Sequence, residues 1–263
     1  MSSHQLPLAF SPKRIVAEVH EGGGVYPIYS FGPIGPTDGT PVLIVAGMHG
    51  NEVAGALAAP RILEDLRSRP EDYRRVRLHM IAPANPIGLK YGSRYNLQGC
   101  DINRDFHAFG TVEARAIRDL LQELSPRFIL SLHEGPHDGF FVIATRNLPD
   151  EVAQSAIGSI PTAIMPLARE NNLGWELKTP GVMREGWFVT AAKGLFGINS
   201  LGAYGEGRGV PILTTEGPWG SRDLDARIQV QVLAVRGVAR FFDPRPPNPA
   251  LEQSGGRTSG GAT

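Results

Sequence analysis

The stretch from Val42 to Glu52, VLIVAGMHGNE, constrains the fold of this chain more than any other. Residues 42–45 form an apolar and largely β-branched run, which is typical of a buried strand. His49 and Glu52 follow this run directly, at the point where a helix over residues 52–67 can begin. A buried strand that leads into a helix is the building unit of α/β folds.

The same alternation continues along the chain. Residues 13–20 and 25–31 have the pattern of a hairpin. Further strands are predicted at 76–82, 127–132, 139–145 and 210–215, and helices at 111–124, 149–158, 163–172 and 223–242. Pro60 lies inside the first helical pattern, so we expect a kink or a break there. The alternation predicts a three-layer α/β/α sandwich with a mixed, largely parallel central sheet.

Length and pattern together predict the domain organisation. The 263 residues suit one large domain or two small ones. The apolar runs recur up to residue 243, and we therefore expect a single catalytic domain over residues 1–243, with the hairpin at about 13–31. Residues 244–263 are rich in Pro, Gly and Ser and predict a flexible tail.

Charge and cysteine content exclude several classes of protein. Lys plus Arg and Asp plus Glu both number 26, so the net charge is zero, and nucleic acid and anionic membranes are not expected partners. Cys100 is the single cysteine, which rules out an intramolecular disulfide. The sequence has no signal-peptide pattern and no apolar run that could span a bilayer, so we expect a cytoplasmic protein.

Three predicted strands end in a residue suited to chemistry, namely His49, His133 and Glu216. Ligands of open α/β sheets collect at the carboxyl edges of the strands, so these residues can meet in space. Two histidines with Glu52 give the ligand count of a catalytic zinc that keeps an open position, although manganese, cobalt or iron accept the same ligands. The alternatives are a chance H-x-x-E and a histidine whose hydrogen bonds are satisfied at a strand end.

A general base is needed beside such a metal. Glu216, at the end of the apolar strand ILTTE, is our candidate. Glu134 competes for this role, but adjacent side chains of a strand face opposite ways, so it should point away from the site if His133 points toward it. The alternative for Glu216 is a surface acid that caps a helix.

The segment between residues 83 and 110 is too long for a simple connection, which indicates a functional loop. It contains Arg94, Asn103 and Arg104. One guanidinium near a metal-bound carbonyl can stabilise a developing oxyanion, and a second can hold a carboxylate through two hydrogen bonds. The alternative is a set of surface arginines with local ion pairs.

These segments together resemble the zinc carboxypeptidase superfamily. The residues that carry the resemblance are H-G-N-E (49–52), R-x-N-x-x-G-x-D-x-N-R-x-F (94–106), S-L-H (131–133) and T-E-x-P (215–218). The superfamily includes carboxypeptidase A-like enzymes, murein peptide amidases and the succinylglutamate desuccinylase/aspartoacylase branch. The resemblance extends over roughly residues 40–240. The chain departs from a digestive carboxypeptidase in its shorter length and lack of paired cysteines, and its segment 133–141 matches no branch.

The resemblance implies a role for each matching residue. His49, Glu52 and His133 would bind one Zn²⁺ per chain, Arg94 would stabilise the oxyanion, Asn103 and Arg104 would bind the free carboxylate of the substrate, and Glu216 would be the base. Tyr204 is the candidate for a tyrosine on a mobile loop that closes over the substrate. Its alternative is a buried anchor of that loop.

The implied activity is hydrolysis of an amide bond next to a free carboxylate, as in a metallocarboxypeptidase or peptide amidase. The substrate would be a small peptide or an acyl amino acid. The alternative within hydrolases is an N-acyl amino acid deacylase of the succinylglutamate desuccinylase/aspartoacylase type. A third possibility, of another class, is a non-catalytic zinc-containing binding module.

Overall fold

The computed structural model describes residues 13–184, 199–220 and 223–242. Its strands are β1 Lys13–Glu21, β2 Gly24–Ile34, β3 Thr40–Ala46, β4 Val76–Ile81, β5 Phe128–Gly135, β6 Phe141–Ala144, β7 Val182–Arg184 and β8 Ile212–Pro218. Its α-helices are α1 Val53–Ser68, α2 Pro86–Tyr91, α3 Val112–Leu124, α4 Asp150–Gly158, α5 Leu201–Glu206 and α6 Leu224–Phe241. The predicted tail at 244–263 lies outside the described residues.

The eight strands form one mixed sheet in the order β1-β2-β4-β3-β5-β8-β6-β7. Its four central strands, β4, β3, β5 and β8, run parallel. β1 pairs antiparallel with β2, β2 with β4, and β6 with β8, whereas β6 and β7 pair parallel. The predicted mixed, largely parallel sheet is therefore confirmed. The parallel order brings the carboxyl ends of β3, β5 and β8 to one edge.

Helices cover both faces of this sheet. Leu43 and Ile44 are consecutive in β3, yet they belong to different apolar clusters, because alternate side chains of a strand point to opposite faces. The Ile44 cluster contains the buried residues of α1, α4 and α6, and the Leu43 cluster contains those of α2, α3 and α5. The fold is thus the predicted three-layer α/β/α sandwich.

Two predicted local features are absent: a break of α1 at Pro60 and a helix over residues 163–172. The helix α1 continues through Pro60, because buried small residues such as Ala56 and Ala59 pack it closely and tertiary packing offsets the lost hydrogen bond. Residues 163–172 are not helical. Instead, the backbone N–H of Phe140 donates to the carbonyl oxygen of Pro166, and the carbonyl oxygen of Phe140 accepts the N–H of Ala168. This pairing with Phe140, the residue before β6, places the segment beside that strand.

Among the described residues, no helix combines the length and the apolar character that crossing a membrane requires.

Gly50 lies where the loop His49–Glu52 makes close contact with α2. Its backbone N–H donates to the carbonyl oxygen of Ser93 over 2.8 Å. A Cβ atom at Gly50 would lie 1.8 Å from the carbonyl carbon of Gly88, far inside any van der Waals contact. The loop therefore reaches its position only because residue 50 has no side chain.

We predict that Gly50→Ala lowers the free energy of unfolding by about 3 kcal/mol, the upper end of usual overpacking penalties. Chemical denaturation measures this. Gly158→Ala is the matched control, because nothing lies within 4 Å of a Cβ there, and it should change stability by less than about 1 kcal/mol. Equal denaturation midpoints for Gly50→Ala and the parent would contradict the close contact with α2.

Candidate metal centre

Three buried side chains meet at the carboxyl edge of the sheet. His49 follows β3, Glu52 directly precedes α1, and His133 lies in β5, the strand next to β3. The Nδ1 atom of His49 lies 3.2 Å from Nδ1 of His133, and these two atoms lie 2.7 Å from Oε1 and Oε2 of Glu52, respectively. One ligand atom from each residue lies within 4.8 Å of the others. The structure thus brings the predicted ligands together.

This donor set fits a divalent metal ion. A tetrahedral ion with bonds of about 2.0–2.1 Å needs ligand atoms about 3.3 Å apart, close to the separation of the two imidazole nitrogens. Imidazole and carboxylate are ordinary ligands of such ions. Two lone pairs that face each other repel, and a shared cation removes that repulsion. The cluster can therefore hold a metal.

The outer nitrogen of each imidazole has its own partner. Nε2 of His49 lies 3.1 Å from Oδ1 of Asp101, and Nε2 of His133 lies 2.9 Å from Oγ of Ser131. Because a carboxylate only accepts hydrogen bonds, Nε2 of His49 carries a proton. When that ring is neutral, its Nδ1 lone pair faces the cluster, which is the orientation that metal binding requires.

The charges of the cluster shift its pKa values. Burial opposes the charged form of His49, but hydrogen bonds to Asp101 and Glu52 outweigh it, so the pKa of His49 is raised. Burial also opposes ionisation of Glu52, but the His133 and His49 imidazoles outweigh it and lower its pKa to about 2. The pKa of Asp101 is lowered in the same way, with hydrogen bonds and charge from His49 and Arg94 overcoming burial.

Arg94 lies against this cluster. Its Nε donates to Oδ2 of Asp101 over 3.0 Å, and its Nη1 lies 3.2 Å from Oε1 of Glu52. The same Nη1 lies 3.3 Å from Nδ1 of His49. A guanidinium is thus in place beside the donor atoms, and its charge partly balances two carboxylates.

The cluster lines a cavity of about 290 Å³. The described residues around it also include Arg94, Asn103, Arg104, Ser131, Glu134, Ile143, Asn172, Leu201, Thr214, Glu216 and Trp219. All predicted ligands, the candidate base and the three loop residues therefore share one cavity. Tyr204 is not among the residues that line it.

Glu216 lies opposite His133 in the register of β5 and β8. Burial raises its pKa to about 7, and the charge of Glu52 adds to this effect, whereas His133, Asn172 and Arg94 oppose it. A carboxyl group with a near-neutral pKa in a cavity is suited to proton transfer near neutral pH.

Asn103 and Arg104 lie in the short 3₁₀ turn Ile102–Arg104. The side-chain oxygen of Asn103 accepts the backbone N–H of Leu201 over 2.9 Å, so the amide NH₂ is the half that can donate to a ligand. Arg104 is exposed, and its Nη1 donates to the backbone oxygen of Asn103. The turn thus presents two donor groups to the cavity.

The structure places Tyr204 apart from this site. Its ring lies 5.9 Å from Phe106 and 5.2 Å from Phe109 between ring centres, and Arg208 stacks on it. Residue 204 belongs to the helix α5, not to an open loop. Only 8% of Tyr204 is exposed. Aromatic packing in the apolar core favours the alternative, a buried anchor, and the catalytic role of Tyr204 stays a prediction.

The sequence interpretation missed three polar contacts of the site. Asp101 lies within the segment 94–106, two residues before Asn103, and Ser131 shares a face with His133 because side chains alternate along a strand. These two could have been found from spacing. The hydrogen bond of Asn172 to Glu216 has no sequence signal, because 172 follows a segment that only tertiary structure brings to β6.

Comparisons with known proteins agree with this geometry. The catalytic domain of the succinylglutamate desuccinylase/aspartoacylase family matches residues 38–138, a segment that contains His49, Glu52 and His133 but ends before Glu216. No curated protein matches the chain.

Several solved structures share the fold. A protein of Shewanella denitrificans described as a metallopeptidase is 23% identical, with a TM-score of 0.67 over 89% of this chain and 84% of that chain. Murein-tripeptide amidase MpaA from Escherichia coli O157 is 19% identical, with a TM-score of 0.55 over 91% and 95%. A succinylglutamate desuccinylase/aspartoacylase from Rhodobacter sphaeroides is 18% identical, with a TM-score of 0.51 over 84% and 59%.

The chain thus shares its fold with metallopeptidases and carboxypeptidase-like proteins. The fold that the resemblance implied is confirmed. The matched family segment supplies β3, β4 and all of β5, together with the loop that carries His49 and Glu52. Glu216 comes from a later strand, which the sheet places beside β5.

We predict that metal affinity falls as the pH is lowered, and that the fall begins above pH 6.5. The raised pKa of His49 means that protons compete for its nitrogen at a higher pH than for an ordinary histidine, whereas the Glu52 carboxylate stays ionised until about pH 2. Below the pKa of a ligand, proton competition at that ligand lowers the apparent metal affinity about tenfold for each further pH unit. Chelator competition between pH 5.5 and 8 measures this, and a flat profile would contradict it.

We predict that Tyr204→Phe keeps the activity of the parent within about twofold. The hydroxyl of Tyr204 is buried and has no hydrogen-bond partner among the described residues, so its removal should not lower stability. Steady-state kinetics and thermal unfolding of this variant measure both. A loss of about 100-fold in kcat with unchanged stability would instead restore the loop-tyrosine role.

Proposed function

We propose that the protein is a zinc-dependent hydrolase that cleaves an amide bond next to a free carboxylate. The observation that carries this proposal is the single cavity in which three converging metal donors, a buried Glu216 and two arginines meet. A binding site for a neutral ligand needs no such combination of charges.

Zinc suits the donor set because a catalytic zinc is held by three protein ligands and keeps an open position. His49 and His133 would bind through Nδ1, and Glu52 through its carboxylate, with Asp101 and Ser131 orienting the two rings. When bound, such an ion activates water and polarises a carbonyl group.

Glu216 acts as the proton carrier in this proposal. It takes a proton from the attacking water and delivers it to the leaving nitrogen of the amide. Its burial in the cavity and its pKa near 7 support both steps, since a group with this pKa exchanges protons readily near neutral pH.

Arg94 and the 3₁₀ turn orient the substrate. The Nη1 of Arg94 lies close enough to the donor cluster to stabilise negative charge that develops on the carbonyl oxygen. Asn103 and Arg104 bind the free carboxylate of the substrate through charge-assisted hydrogen bonds. The cavity then holds the scissile bond between these two anchors.

Two kinds of amide substrate remain candidates. A metallocarboxypeptidase or peptide amidase, the first candidate, acts on a small peptide, and the structural likeness to MpaA supports it. An N-acyl amino acid deacylase acts on an acyl amino acid, and the family match over residues 38–138 supports this second candidate.

A hydrolysis screen separates the two candidates. C-terminal peptides, γ-D-glutamyl peptides and N-acyl amino acids are compared on one preparation whose metal content is measured. Turnover of peptides supports the first candidate, and turnover of acyl amino acids supports the second. A zinc-loaded protein that hydrolyses none of them would overturn the hydrolase proposal in favour of a binding module.

We predict that Glu216→Gln lowers kcat by about 10²–10⁴-fold, the usual contribution of a general base. The zinc content should stay at the level of the parent, since Glu216 is not among the three donors. Steady-state kinetics with metal analysis of the same sample measures both quantities. A wild-type rate in this variant would remove Glu216 from the role of base.

A further inference from the structure

Two ion pairs, each between an arginine of α6 and a largely buried carboxylate, connect α6 to other elements of the fold. Near the cavity, Nε and Nη2 of Arg227 donate to the two oxygens of Glu134 over 2.7 and 2.9 Å. Nine residues further along α6, Nε of Arg236 donates to Asp65 of α1 over 2.9 Å. The two pairs are alike in chemistry but differ in their distance along α6 from the metal centre.

Glu134 is connected to the metal centre through both its backbone and its side chain. It directly follows His133, and its backbone N–H donates to Oε2 of Glu52 over 3.2 Å. Its side-chain Oε2 accepts the backbone N–H of Ala54, at the start of α1, over 2.8 Å. The Glu134 side chain is fully buried. Glu134 thus contacts Glu52 directly through its backbone N–H, and its side chain holds the start of α1, which follows Glu52.

A second polar side chain of α6 continues the same pattern. Gln231 lies one helical turn after Arg227 and is fully buried. Its amide NH₂ donates to the backbone oxygen of His133 over 2.9 Å, and its amide oxygen accepts the hydroxyl of Thr215. α6 therefore contacts the backbone carbonyl of His133 and the side chain of Thr215, the residue before Glu216.

Net stability is a weak explanation for the Glu134–Arg227 pair. Desolvation of two buried charges often cancels their attraction, and an apolar pair of similar volume is frequently as stable. The hydrogen bonds of Glu134, in contrast, are directional, and they fix where α1 begins and how β5 ends. Orientation of the donor cluster is the property that these bonds can supply.

We propose that Glu134 and Arg227 are positioning residues that hold the Glu52 carboxylate and the His133 imidazole at metal-binding separation, by fixing the end of β5 and the start of α1. This inference rests on the metal site of the proposed function. It assigns a role to the segment after His133, which departs from the superfamily pattern. Neither residue is expected to touch the substrate.

Metal affinity tests this directly. Zn²⁺ affinity is measured by chelator competition on the metal-free full-length protein, and the visible spectrum of the Co²⁺-loaded protein reports the ligand geometry. Glu134→Gln and Arg227→Met should each weaken Zn²⁺ binding by about 10–100-fold, as loss of outer-shell partners does, and should alter the Co²⁺ spectrum. Arg227→Lys keeps the charge and should recover part of the affinity.

The Asp65–Arg236 pair provides the matched control. Asp65→Asn and Arg236→Met break a similar buried pair between α1 and α6 and should lower the thermal stability, but they should leave Zn²⁺ affinity and the Co²⁺ spectrum unchanged.

Three outcomes would overturn the inference: wild-type affinity in both Glu134→Gln and Arg227→Met, an equal loss of affinity in the control variants, or a spectrum unchanged by Glu134→Gln. If Glu134→Gln does not fold, Arg227→Met and Arg227→Lys decide by the same measurements. A parent protein that binds no metal would contradict the proposed function itself, which is a distinct result.

Discussion

The convergence of His49, Glu52 and His133 is the interaction on which the rest of the site depends. It exists because β3 and β5 are parallel neighbours, so that their carboxyl ends meet at one edge of the sheet. Two buried imidazoles and a carboxylate repel or attract one another strongly at these distances. The surrounding hydrogen bonds therefore have to fix each group, and most of the polar contacts near the cavity do so.

Those fixing contacts come from both sides of the sheet. On the cavity side, Asp101 orients His49, and Arg94 joins Asp101 to Glu52. On the face that α1 and α6 cover, Glu134, which also borders the cavity, receives hydrogen bonds from α1 and from Arg227 of α6. The helices thus do more than cover apolar surface, since their polar residues hold the ends of the strands that carry the chemistry.

Much of the candidate site was predictable because its residues follow strands or lie in one motif-rich segment. His49, His133 and Glu216 each stand where an apolar run ends, and the parallel order of the strands brings them together. The surroundings of Tyr204 show what this reasoning does not reach. Glycines around a tyrosine predicted a mobile loop, but the packing of its ring against Phe106 and Phe109 decides otherwise, and no local pattern reports such packing.

The sequence by itself determined the layered architecture and which polar side chains stand at the ends of the central strands, because periodicity and spacing are local properties of the chain. Only the tertiary structure decided that α1 continues through Pro60, that residues 163–172 run beside β6, and that Asn172 and Arg227 reach the site. Each of these depends on contacts between residues far apart in sequence, whose energies outweigh local preference and appear only when the layers pack together.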